Sequence, residues 1–523
     1  MTLIANLKTV IEGLVLGGQA MRKAAVLATV AALALAGCGG GGGGGSGDAP
    51  APAAKTPTVT ISLSAAKVAV NAPLTITWTS TDSTSCVGSD SLPATQPVNG
   101  STSITQTAGG QYTYTITCTG VGGSANAKAT AIVPMRVFTT SYENKNAIPF
   151  DATQVPRVRA LGLPKVVVTE QDSVDRSIAI GDFFQEGKYS AFIMTTNSDG
   201  RYGGNPTIPG VGYFLSQSDN GTWIDRSSLL FKDTSDRMGC ISPSRTAVAD
   251  FNNDGKPDVY VACTGFDFDV PNATTEQNQA FSRSFSVIYL SQSDGSYKST
   301  RIEENNPMYG HKAVAVDLNG DRNIDIVTSD LIDPSQPIGC GTPFVLLGRG
   351  DGTFTRNYTF LDANFVRNQL PQCGFFDVDI IPIDGRHDIM ISGLDSSGNW
   401  EVLWLNGKIG GFDLSTAKLF KMPKDPASNS EYQFPLDIIY DLSSLGFYMK
   451  TTLVSGYGSV WSVIKFDKSG SLVGIIDRWA NTGLAQSPQF KPSKSSPGYL
   501  VAYSAGCAAD VTLGDCGRKV KMN

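Results

Sequence analysis

The chain of 523 residues carries a formal net charge of −6, and only 17% of its residues are charged, while 56 are glycine and 27 proline. That length holds two or more domains with full cores, and the composition suits short strands and turns rather than helical repeats. The charge lacks the basic footprint of a nucleic-acid binder. Two histidines, His311 and His387, argue against a His-rich zinc site.

The N-terminal residues bear on compartment. Arg22 and Lys23 precede an apolar run from Ala24 to Gly37. The run is shorter than the ~20 residues a membrane-spanning helix needs and has the dimensions of a signal-peptide core. Because a signal begins at its basic region, Met21 is the expected start and residues 1–37 the signal peptide. The stretch Leu35-Ala36-Gly37-Cys38 resembles the lipobox of bacterial lipoproteins. That resemblance implies lipidation of Cys38, which anchors the mature chain to a membrane. Gly39 after the cysteine, under the sorting habits of enteric bacteria, points to the outer membrane. Seven glycines and a Pro/Ala-rich continuation make residues 38–55 a flexible tether that can build no core.

Residues 56–135 form the first folded unit. Alternating, Thr-rich stretches such as "TVTISL", "LTITWTS" and "YTYTITCTG" read as strands. With two cysteines and Trp78 they resemble a small immunoglobulin-like sandwich. Trp78 precedes Cys86, whereas in antibody domains the tryptophan follows the first cysteine, so antibody disulfide geometry is not implied. A spacer role is expected.

Eight cysteines remain beyond Cys38. An even number in an exported chain indicates disulfides, and the absence of any CxxC disfavours a metal site. Number alone leaves 105 connectivities open. Pairing nearest neighbours gives Cys86–Cys118, Cys240–Cys263, Cys340–Cys373 and Cys507–Cys516, each inside one local unit.

Beyond Pro134 the chain repeats. "SIAIGDFFQEGKYSAFIM", "TAVADFNNDGKPDVYVAC" and "KAVAVDLNGDRNIDIVTS" align, and their first loop aspartates are Asp182, Asp250 and Asp317. Weaker copies start at Val378 and Leu436, with a trace near residue 487. Between the copies recurs an apolar strand, a Gly/Asp tip and an aromatic, as in "VIYLSQSDGSYKS" and "FVLLGRGDGTFTR", which is the form of a hairpin. Self-similarity at this period indicates stacked β units. These residues resemble FG-GAP/VCBS repeats, known from integrin α-chains. The resemblance covers roughly 178–505 and implies a β-propeller of six or seven four-stranded blades over 136–523.

In the second and third copies, oxygen-bearing side chains fall at alternate positions of a nine-residue turn, which suits a calcium ion needing six to eight oxygens. The expected ligands are Asp250, Asn252, Asp254, the carbonyl of Lys256 and Asp258, then Asp317, Asn319, Asp321, the carbonyl of Asn323 and Asp325. Gly255 allows a sharp bend at the sixth position, where the third copy has Arg322. An empty polar turn is the alternative. Against it stands the cost of three crowded like charges. The first copy loses ligands to Phe184 and Ser190, and the fourth to Ile380 and Pro382.

Three function classes compete. No GxSxG, HExxH or phosphate loop is present, so the chain reads as not an enzyme. The preferred expectation is an envelope protein whose long insertions, 197–212 and 264–286, bind a protein or glycan partner. A polysaccharide-active propeller enzyme and a purely structural envelope protein are the alternatives. Export with lipidation predicts that a fatty-acid analogue labels the wild type in cells and leaves Cys38→Ala unlabelled. Equal labelling of both would dismiss the lipobox.

Overall fold

The computed structural model describes residues 53–141 and 178–522 apart from 91, 196–206, 266–272, 282, 303–305, 331–341, 428–432, 442–445, 454–459, 481–488, 493–495, 497 and 504–518. Cys38, Cys340, Cys507, Cys516 and the side chain of Cys373 lie outside these residues.

The alternating Thr-rich stretches become strands β1 (Thr58–Leu63), β2 (Pro73–Thr81), β3 (Ser85–Asp90), β4 (Thr95–Gln96), β5 (Gly100–Thr105), β6 (Gly110–Gly120) and β7 (Gly123–Val133). They pair as two sheets, β1-β2-β5 and β4-β3-β6-β7. Along β2 every second residue, Leu74, Ile76 and Trp78, is buried while the threonines between them face water, as a half-buried sheet demands. These three meet Tyr114, Ile116 and Ala131 from the other sheet in one core. Trp78 donates its indole N–H to the Pro97 carbonyl at 2.9 Å. Gly100 leaves room for the ring, since a Cβ there would lie 2.6 Å from it. The Cys86–Cys118 disulfide joins directly opposed residues of β3 and β6, with Cα atoms 4.1 Å apart. It lies within one sheet, unlike the inter-sheet bond of antibody domains.

From Ile178 the chain folds into five successive four-stranded antiparallel sheets, spanning 178–225, 243–302, 310–357, 373–421 and 433–480. A sixth sheet over 489–521 has three described strands. Each sheet is an up-and-down meander, and the first strands of consecutive sheets pack side by side. The chain is an all-β protein: a β-propeller preceded by a small β-sandwich. Second strands such as Ser190–Met194 and Asp258–Cys263 are buried on both faces. That burial is why they read as unbroken apolar runs instead of alternating ones.

The core lies between blades. Phe183, Phe192 and Phe214 of the first blade interlock with Tyr289 and Tyr297 of the second, with ring centroids 4.6–6.1 Å apart. Similar apolar layers join the second blade to the third and the third to the fourth.

The meander has a consequence for function. Turns between strands one and two, and between three and four, leave one end of every blade, the turn end. Connections between strands two and three, and from blade to blade, leave the opposite end, the loop end. Both long insertions belong to connections between strands two and three, so both open at the loop end. The Cys240–Cys263 disulfide lies at that end, fully buried, with Cα atoms 6.2 Å apart. It ties the lead-in of the second blade's first strand to the end of its second.

The sequence separation of that bond is 23 residues, and closing such a loop in the unfolded chain contributes about 3 kcal/mol in the chain-entropy model. The expected outcome for Cys240→Ala/Cys263→Ala is a loss of that order in denaturant unfolding. Free thiols at both positions in non-reducing peptide mapping of the wild type would contradict the pairing.

Candidate metal centre

The three acidic turns share one backbone. Their fourth and sixth residues are left-handed in every case: Gln185 and Gly187, Asn253 and Gly255, Gly320 and Arg322, with φ between 54° and 82°. Arg322 therefore takes the conformation that glycine takes in the other two turns. A side chain there carries a cost, but the turn forms regardless.

The first-position aspartate organises each turn. Asp250 accepts the N–H groups of Asp254 (3.0 Å) and Gly255 (2.8 Å). Asp317 accepts those of Gly320 (2.8 Å) and Arg322 (3.0 Å). Asn252 and Asn319 each accept from the residue two positions on. Asp254 and Asp321 do the same for the N–H of Lys256 and Asn323, both within 2.9 Å. Such side-chain-to-backbone bonds are the ordinary means by which Asp and Asn build turns.

The ninth position does different work. Asp258 and Asp325 are fully buried. Asp258 accepts the N–H of Phe251 (2.8 Å) with one oxygen and that of Ser291 (2.7 Å) with the other. Asp325 accepts those of Leu318 (3.0 Å) and Gly348 (2.9 Å). Each carboxylate thus clasps the second turn residue to the end of the blade's third strand. Burial pushes the Asp258 carboxyl up to about 7 and that of Asp325 up to about 6, with repulsion from neighbouring turn aspartates adding to it. In the second turn one hydroxyl serves two carboxylates. Ser291 Oγ lies 2.8 Å from Asp254 Oδ2 and 2.9 Å from Asp258 Oδ1. Its single hydrogen can satisfy only one of them, so the pair calls for a proton or a cation between them. The ammonium of Lys256, whose carbonyl is the expected ligand, lies 3.2 Å from Asp254 Oδ2.

The other copies answer the same need differently. In the first blade Ser190 replaces the ninth aspartate, accepts the Phe183 N–H (3.0 Å) and donates to the Gly181 carbonyl (2.7 Å), without charge. In the fourth blade the nine-residue turn has shrunk to a two-residue hairpin, Asp384-Gly385, with both residues left-handed. Its Asp388 remains fully buried and accepts the Gly407 N–H (2.8 Å) and the Trp404 indole N–H (3.0 Å). Arg386, 3.2 Å away, supplies the countercharge. Among the described residues, no group of three or more acidic, histidine or cysteine side chains converges closely enough to hold a metal ion.

Sequence reasoning missed the partners of the clasp. Ser291, Gly348 and Gly407 occupy one recurring place in the hairpin motif, and the signal was their small size. A Cβ at Gly348 would meet the Ile324 carbonyl at 2.2 Å, and one at Gly407 the His387 carbonyl at 2.1 Å.

Comparison with protein families and with curated proteins finds no match. Among solved structures, the chain is similar to a GH43_1 enzyme from Xanthomonas citri at 10% identity and a TM-score of 0.30, over 54% of this chain and 86% of that one. It is similar to a B. megaterium levansucrase variant at 9% identity and TM-score 0.29, over 66% and 94% of the two chains. A quinonprotein alcohol dehydrogenase-like protein from Bacteroides thetaiotaomicron matches at 9% identity and TM-score 0.28, over 87% and 96%. Likeness at this level assigns neither activity nor substrate. The expectation that the chain is not an enzyme is withdrawn, because the lack of a familiar motif is no ground for excluding catalysis.

The clasp makes a sharp prediction. Asp388→Ala strands two buried N–H donors at Gly407 and Trp404 and should cost about 3 kcal/mol. Denaturant unfolding measures it, and a loss below about 1 kcal/mol would show that the bonds are replaceable by water.

Proposed function

We propose that this chain is an exported, lipid-anchored β-propeller that engages a polysaccharide at its loop end, with calcium stabilising the turns of its second and third blades. The observation that carries the reading is topological. In the second, third and fourth blades the turn end carries a buried-carboxylate clasp, whereas both long insertions fall at the loop end by their place between second and third strands, the usual place for recognition on such a scaffold. One polar pair suited to hydroxyl-rich ligands joins neighbouring blades there: Arg283 and Asp330 are 3.0 Å apart. Phe285, two residues after Arg283, lies 4.0 Å from the guanidinium of Arg301 on the second blade's outer strand.

The calcium part of the proposal rests on the FG-GAP/VCBS resemblance and on the donor set. Carboxylates, amides and carbonyls are the ligands a hard cation takes, and at the Asp254–Ser291–Asp258 contact the Lys256 ammonium meets Asp254, while Asp258 has no ion pair among the described residues. The ion would be held by Asp250, Asn252, Asp254, the Lys256 carbonyl and Asp258, or by Asp317, Asn319, Asp321, the Asn323 carbonyl and Asp325, and it would have to draw the three carboxylates of either set closer together than they now lie. It would supply neutralisation of crowded carboxylates. Nothing in the geometry requires Asp258 Oδ2 or either oxygen of Asp325 to leave its backbone partner, since each of these has a second lone pair.

Two measurements test the reading. With calcium at tenfold excess over its dissociation constant, each occupied site adds about 1.4 kcal/mol. Chelation should therefore lower the melting temperature, and Asp250→Ala and Asp317→Ala should each remove part of the shift. A melting curve indifferent to chelator and to excess calcium would leave the turns metal-free. Incubation with a panel of polysaccharides, read by retention and by release of reducing ends, separates binding from turnover. Neither retention nor release on any polymer would overturn the glycan reading.

A further inference from the structure

The first blade's turn lacks two of the expected ligands, and the sandwich occupies it instead. Asp182, only 2% exposed, accepts the Met135 N–H at 2.9 Å as well as those of Glu186 and Gly187. Gln111 of β6 donates its side-chain amide to the Glu186 carbonyl at 3.0 Å. Gly187 is left-handed, with φ 67°, and a Cβ there would lie 2.4 Å from the Gly110 carbonyl oxygen and 3.0 Å from that of Val133. Glu186 is held from the other side by both terminal nitrogens of Arg226, at 2.8 and 2.9 Å. Beyond the turn, Phe138 stacks on Tyr189 with ring centroids 6.4 Å apart. One end of the sandwich, formed by Gly110, Gln111, Val133 and Met135, therefore sits on the turn end of the first blade.

The chain enters the sandwich at its other end. Pro57 lies against Gly120, the far terminus of β6. The strand from Gly110 to Gly120 is eleven residues long, a span of roughly 33 Å at about 3.3 Å per residue. We infer that the sandwich is a rigid pedestal. It is docked on the turn end of the propeller through the first blade's Asp182 turn, and it holds the loop end facing away from the point where the chain enters. The docking contacts involve neither calcium nor a glycan. The inference rests on the proposed function only for its use, which is to give the recognition face its outward orientation.

Spin labels at Val121→Cys and Ile409→Cys, positions 87% and 89% exposed on the sandwich and on the fourth blade, test the pedestal in the full mature chain. The expected result is a single narrow distance distribution. Gly187→Ala should broaden it, because its methyl group meets the sandwich backbone. Gly255→Ala, equally left-handed but with nothing within 4 Å of its Cβ, should not. Gln111→Ala, which alters no backbone, should broaden the distribution partially and serves if Gly187→Ala does not fold. A parent distribution that is already broad overturns the pedestal. So does one that Gly187→Ala and Gln111→Ala both leave as narrow as Gly255→Ala does. Polysaccharide retention in the parent is scored separately, so loss of the glycan reading leaves this result standing.

Discussion

A buried carboxylate at the start of a blade's second strand is the contact on which the turn end of this propeller depends. Asp258, Asp325 and Asp388 each lie fully buried and each accept an N–H from the end of the third strand. Two of them also hold the second residue of the preceding turn. Charge-assisted bonds of this kind are about twice as strong as neutral ones, but only if the desolvated charge is compensated. The rest of the local sequence follows from that requirement. The third strand must end in a small residue to come close enough, and an arginine, a hydroxyl or a cation must be near.

Blade by blade the compensation changes, over one turn backbone in the first three blades and a two-residue hairpin in the fourth. Ser190 removes the charge, Arg386 neutralises it, and Ser291 with Lys256 partly meets it in the second blade. In the third turn Asp317, Asp321 and Asp325 are satisfied by N–H donors alone, with no ion pair to any of them among the described residues. It is the turn with most to gain from a bound cation. The propeller therefore spends its turn end on stability and, in the first blade, on seating the sandwich. The loop end carries both long insertions.

Much of this was legible in the chain. The repeats, the meander of short strands and the two described disulfides follow from periodicity, turn residues and local cysteine pairing. The nine-residue turns were legible as turns, since Asp, Asn and Gly report their own backbone preferences. The role of the ninth residue was not. An aspartate bonded to a strand some thirty residues away, as Asp258 is to Ser291, leaves the same letter in the sequence as one facing a metal. The fourth copy was misleading for a related reason. "DGRHD" looks like the end of a long loop, but Ile380–Ile383 continue the strand and leave only Asp384-Gly385 to turn.

The sequence by itself determined what depends on near neighbours: strand periodicity, left-handed turn positions, the apolar layers and the repeat that makes blades stack. Only the tertiary structure decided what depends on distant partners. Which carboxylates are buried, which donors meet them, that Arg322 can bend where glycine was expected, and that Met135 seats itself on Asp182 are set by where the third strand and the sandwich come to lie. Hydrogen-bond partners across blades and domains are chosen by packing, and packing is not written at any single position.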